Sequence, residues 1–237
     1  MKHAMRSAGP LLLGLIWASV IGIPVAAADS ISYDIETGSV GLSGYSGPFV
    51  NLSVNRTDST HATLTYTALT SSGGTYLYTM GGQGAVAANI NASSFTVQPI
   101  TETNPDKPGT NGLASFAGAA NENGWGSFNL TIDNFDGFTY RATSVSFQVT
   151  NTSGTWASAG NVLTGNQGGS LAAAHVFVVD GPAAGTACDG ACVTSFAATT
   201  GGNGLPGEVV PEPSSLVLLG SGLAMFAVYV RRRSTNG

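Results

Sequence analysis

Charge is what this sequence most lacks. Its 8 Lys or Arg and 13 Asp or Glu amount to 9% of 237 residues, against ~25% in an ordinary soluble domain. The net charge of −5 excludes a nucleic-acid binder, because neutralising phosphates takes clustered cations. Two cysteines exclude a disulfide-dense miniprotein. Three histidines, His3, His61 and His175, leave little for a histidine-rich metal centre. Long apolar runs are missing from the middle of the chain and occur only at its ends, which excludes a polytopic membrane protein.

The scarce cations are also concentrated. Lys2 and Arg6 open the chain, and Arg231, Arg232 and Arg233 form a run near its end, leaving Arg56, Lys107 and Arg141 for the interior. Residues 29 to 210 carry a net charge of −9. The start reads as a secretory signal peptide: Lys2 and Arg6, an apolar stretch from Pro10 to Ile23, then Pro24-Val25-Ala26-Ala27-Ala28 with small residues for cleavage. The expected cut follows Ala28, which assigns residues 1–28 to the leader.

The other end has three parts: Pro211-Glu212-Pro213, an apolar segment from Ser214 to Val230, and Arg231-Arg232-Arg233. Helical geometry gives that segment about 25 Å, the lower limit for crossing a bilayer. The arginines are expected in the cytoplasm and the body outside. Pro211 and Pro213 enforce an extended approach to the helix. This tripartite end resembles the PEP-CTERM sorting signal of bacteria with an outer membrane, over residues 211–234. The resemblance implies processing near the motif by exosortase, a membrane enzyme, after export through the secretion translocon and a transient stay in the inner membrane. It also implies a mature form at the outer surface or in the exopolysaccharide or biofilm matrix. A sortase signal does not fit, because Leu205-Pro206-Gly207-Glu208-Val209 lacks the required Thr and Gly.

Between the ends, alternation with period two dominates. Ala62, Leu64 and Tyr66 alternate with Thr63, Thr65 and Thr67, and the same pattern recurs at Val50/Leu52/Val54, Tyr76/Tyr78/Met80, Phe95/Val97, Phe128/Leu130/Ile132 and Val145/Phe147/Val149. Ala174–Val179 is a denser run that suits a central strand. Gly-rich turns separate these segments and no helical period appears. The expected body is all-β: one antiparallel β-sandwich or jelly roll over residues 29–196, followed by a flexible stalk over 197–210. Residues 99–124 lack alternation and are expected as a long surface excursion.

Chemistry is sparse. Cys188 and Cys192 frame a short loop and, in an exported chain, are expected as a disulfide. Neither His-Glu-x-x-His nor Gly-x-Ser-x-Gly occurs, and no cofactor or metal is expected. His61 or His175 would have to meet a serine and an acid in space for a secreted hydrolase. Asp133 and Asp136 offer two or three oxygens where calcium takes six to eight. Trp125 and Trp156 are the candidates for stacking sugar rings in a carbohydrate-binding module, set against the commoner role of aromatics as core. Thr, Ser and Asn must wet the sheets in place of charge, and hydroxyls and amides bond water and sugars alike. The leading expectation is a non-enzymatic structural protein of the envelope or matrix.

Overall fold

The computed structural model describes residues 28–71, 73–103, 114–134, 141–180, 193–199 and 210–211. They are all-β with antiparallel sheets. The strands are β1 (Asp29–Ile35), β2 (Thr37–Gly38), β3 (Val50–Arg56), β4 (His61–Ala68), β5 (Tyr76–Met80), β6 (Val86–Ala88), β7 (Phe95–Thr103), β8 (Ser115–Glu122), β9 (Gly126–Asp133), β10 (Ser144–Asn151), β11 (Ala172–Asp180), β12 (Thr194–Ala198) and β13 (Val210–Pro211). Two short 3-10 turns, η1 (Val40–Leu42) and η2 (Ala159–Asn161), complete the described elements.

One sheet runs in the order β13-β1-β3-β4-β10-β7 and the other β2-β12-β11-β6-β9-β8, with β5 also paired to β11. Their facing residues form a single core. Ile31, Leu52, Leu64, Tyr66 and Phe147 from the first sheet join Met80, Val86, Leu130, Ile132 and Val176 from the second. Alternation explains the layering: in β4, Ala62, Leu64 and Tyr66 are fully buried while the intervening threonines keep contact with solvent. Each large apolar side chain so buried contributes about 1.5–3 kcal/mol.

Two expectations change. Residues 99–124 hold the end of β7 and all of β8 rather than one long excursion. Among the described residues both end their sheets: β8 is exposed over most of both faces, so no buried face imposes a period, while β7 turns Val97 and Glu102 inward and its alternation is broken by a bulge. At the bulge Val97 pairs with Val149 and Ile100 with Phe147, leaving Gln98 and Pro99 over against Gln148. An edge bulge accommodates a proline, which has no N–H to donate. β8 shifts register on either side of Gly118. The second change is at the domain boundary expected at 196. β12 runs to Ala198, with Ala197 and Ala198 fully buried, and Val210–Pro211 returns to pair with β1.

Among the described residues no helix is long and apolar enough to cross a membrane. The expected leader upstream of Ala28, the apolar segment 214–230 and Arg231, Arg232 and Arg233 lie outside the described residues, as do Glu212, Pro213, Cys188 and Cys192.

Candidate functional site

The aromatic candidates separate cleanly. Trp156 is 2% exposed and its indole N–H donates to the Asn91 carbonyl at 2.8 Å, so it belongs to the core and offers no stacking face. Trp125 is half-buried. It packs over Ala87, Phe128, Ala173 and Ala198, a small apolar cluster apart from the main core, and its N–H reaches the Phe196 carbonyl at 3.4 Å. Beside it lies an open cleft of about 450 Å³ lined by Asn89, Ser127, Phe128, Asn129, Asn166 and Gln167. Its amides are largely spent on the backbone: Asn129 clasps both polar groups of Ile90, Asn166 holds Trp125, Gly168 and Ser170, and Asn89 donates to Thr164. The cleft is thus braced for shape, with few polar atoms left for a ligand.

Among the described residues neither histidine joins a hydrolytic set. His61 Nδ1 lies 2.9 Å from Asp58 and 3.0 Å from Thr60, acid and hydroxyl crowding one ring nitrogen; a relay needs them on opposite nitrogens. The backbone N–H of Thr60, then the His61 ring, hold the Asp58 carboxyl well below the usual range. His175 Nε2 lies 2.7 Å from Thr194 Oγ1 and its ring stacks on Phe196. Burial pushes its pKa down, partly offset by the Gln83 and Gly81 backbone. It faces Gly81–Ala85, the interruption between β5 and β6 on β11. In that loop the Gly84 N–H donates to Asp133 at 2.8 Å. Among the described residues no three metal-ligating side chains gather, and Asp136 lies outside them.

Sequence reasoning missed Glu122. It is 2% exposed at the end of β8 and lies against Gly84, where a Cβ would fall on its carboxylate. Burial first, and the Asp133 charge second, push its pKa up to about 8. Tyr66 is displaced upward mainly by burial and donates its hydroxyl to the Ala87 carbonyl at 2.8 Å. Nothing in local sequence pattern marks Glu122; its neighbours Gly84 and Asp133 arrive from the loop between β5 and β6 and from the end of β9.

The outer face of the first sheet shows the most extended polar pattern. Ser32, Ser53, Thr65, Ser146 and Thr101 fall in register across β1, β3, β4, β10 and β7. A parallel row holds Ser30, Asn55, Thr63 and Gln148, and another Asp34, Asn51, Thr67, Ser144 and Thr103. Strand and residue spacings make this a field of about 19 by 14 Å. Asp34 is its only charged member, and Asn51 donates to it at 2.8 Å. Thr65 and Ser146 share a hydroxyl bond of 2.9 Å, whereas Ser32 and Ser53 form no side-chain hydrogen bond among the described residues. The face presents donors and acceptors with almost no charge.

At the edge of that sheet the two ends of the domain meet. Asp29 pairs with Pro211 and Ser30 with Val210, antiparallel. Asp29 is pinned from the side as well, accepting from Arg56 Nε at 2.6 Å and from the Ala159 N–H at 2.7 Å. Ala28 directly precedes this anchored residue, and Pro211 opens the Pro-Glu-Pro triplet. Residues 209–233 match the PEP-CTERM protein-sorting motif.

The chain carries a PEP-CTERM sorting signal. The signal implies an exported protein sorted by exosortase, with a precursor that passes the membrane. No curated protein and no solved structure matches the chain. The PEP-CTERM match covers the tail, so the role of the body rests on its own geometry.

Proposed function

We propose that this PEP-CTERM protein is a non-enzymatic structural component of the bacterial outer surface or exopolysaccharide matrix. In this reading signal peptidase cuts after Ala28, the segment 214–230 anchors the precursor in the inner membrane with Arg231, Arg232 and Arg233 inside, and exosortase acts near Pro211-Glu212-Pro213. Cys188 and Cys192 close a disulfide once exported. The body is a β-sandwich delivered to the matrix. The observation that carries its role there is the in-register hydroxyl and amide field on the first sheet. In a body of net charge −9 this field is close to neutral, so an uncharged polyhydroxylated polymer can bond to it with almost no charged group to desolvate. Hydroxyls such as Ser32 and Ser53 exchange bonds with water for bonds with sugar. The carbohydrate-binding alternative thereby moves from the tryptophans to the flat face.

The test is co-sedimentation of the mature protein with the polysaccharide of its own matrix and with a neutral glucan. The expected result is retention that Ser53→Glu with Thr65→Glu abolishes, the variant's melting profile being kept. Retention equal in variant and parent would remove the flat face from the reading. No retention by the parent would remove the polysaccharide contact altogether.

A further inference from the structure

We propose that the start of β1 is a docking site for the chain's own segment Val210–Pro211, which adds there as an edge strand and holds the first residue of the sorting motif beside the new N-terminus. The proposal rests on the reading that the leader ends at Ala28 and that processing takes place near the triplet. Its geometric basis is the antiparallel register of Asp29 with Pro211 and Ser30 with Val210. Because β13 enters where β1 leaves, the leader upstream of Asp29 and the tail downstream of Pro211 attach at the same end of the sheet edge. A precursor held by both segments is thus tethered to the membrane at one pole, with Pro211 kept on the side from which both segments leave.

The template is built in advance of its ligand. The Asp29 carboxylate bonds Arg56 from β3 and the backbone of Ala159 from η2, so the backbone of the first β1 residues is fixed by two distant parts of the chain. The incoming segment is suited to it as well. The residue before a proline is biased to extended conformations, which preorganises Val210, and an edge position tolerates the N–H that Pro211 lacks. Leader removal adds electrostatic support. It turns the Asp29 amide into a cationic α-amino group, opposite the backbone of Pro211, whose sequence neighbour is the anion Glu212. Docking is therefore stronger after the first cut than before it, which orders the two processing steps. A pairing of two residues stays reversible, as a substrate segment must.

The experiment uses the full chain exported in a bacterial host without exosortase, so that the tail is kept. Ser30→Cys with Val210→Cys is compared with Ser32→Cys with Val210→Cys, each with Cys188→Ser and Cys192→Ser. Register partners lie within disulfide reach and residues two positions along do not. The expected result is cross-linking at least fivefold higher for the 30–210 pair. In parallel, exchange of the Ser30 amide, which leader removal leaves in place, is followed by NMR in the unsubstituted chain and in one ending at Gly207, with at least a tenfold acceleration expected on truncation. Equal cross-linking of the two pairs together with unchanged exchange would overturn the docking. Intact mass of the same samples separates the two levels. Chains starting at Asp29 without preferential cross-linking refute docking and leave export standing; cross-linked chains that retain residues 1–28 refute the leader cut and leave docking standing.

Discussion

Replacing Glu122 by Gln should remove a pH dependence that the fold imposes on itself. The Glu122 carboxyl is buried against Gly84 near Asp133, and its pKa rises to about 8 from an ordinary 4.5. A group with a raised folded pKa keeps its proton in the native state over a window where the unfolded chain releases it. In that window the native state binds more protons, so stability falls as pH rises from about 4.5 to about 8 and levels off above. Each pH unit inside the window costs about 1.4 kcal/mol. Between pH 5.5 and 7.5 the wild type should therefore lose roughly 2–3 kcal/mol relative to Glu122→Gln, which keeps the shape of the protonated side chain and does not titrate. Urea denaturation of both proteins at several pH values gives this as a difference, from which His175 and the exposed carboxylates cancel. Parallel stability curves would refute the reasoning, as would a gap that shifts in favour of the wild type as pH rises. Asp133→Asn should move the midpoint of the effect to lower pH, since it removes the second cause of the shift.

Asp29→Ala should cost about 3 kcal/mol in chemical denaturation, because it strips the nearly buried Arg56 of a carboxylate 2.6 Å away. A loss below 1 kcal/mol would contradict the pinning of β1. Trp156→Ala should cost about 3–5 kcal/mol, with Trp125→Ala clearly milder, as their different burial requires; equal costs in thermal melts would contradict that ordering. Tyr66→Phe leaves the Ala87 carbonyl without its side-chain donor inside the core and should cost about 1–3 kcal/mol, with a neutral result arguing against that bond.

Strands with one buried face were legible in the sequence. In β3, β4 and β10 every second residue is apolar because the opposite face meets water. β8 was not legible, since Phe116, Ala117, Gly118 and Ala119 stand on an edge with neither face covered and the register shifts at the glycine. β12 hides for the converse reason: its buried residues are the small Ala197, in the main core, and Ala198, under Trp125. The threonines of β4 announce an outward face, but alignment of Ser32, Ser53, Thr65, Ser146 and Thr101 into one row depends on the relative register of five strands, which turn lengths set and local pattern does not record. The same holds for Glu122 with Gly84 and for Asp29 with Pro211. The sorting signal was legible because its information is linear: a triplet, an apolar length and a cationic end.

The most direct test of the account is the intact mass of the protein recovered from the surface and matrix fraction of its native host. The account predicts a chain that begins at Asp29, ends close to Pro211-Glu212-Pro213, lacks Arg231, Arg232 and Arg233, and is two hydrogens lighter through a Cys188–Cys192 bond. Recovery of the chain from the inner membrane alone, with the tail through Gly237 still attached, would contradict it.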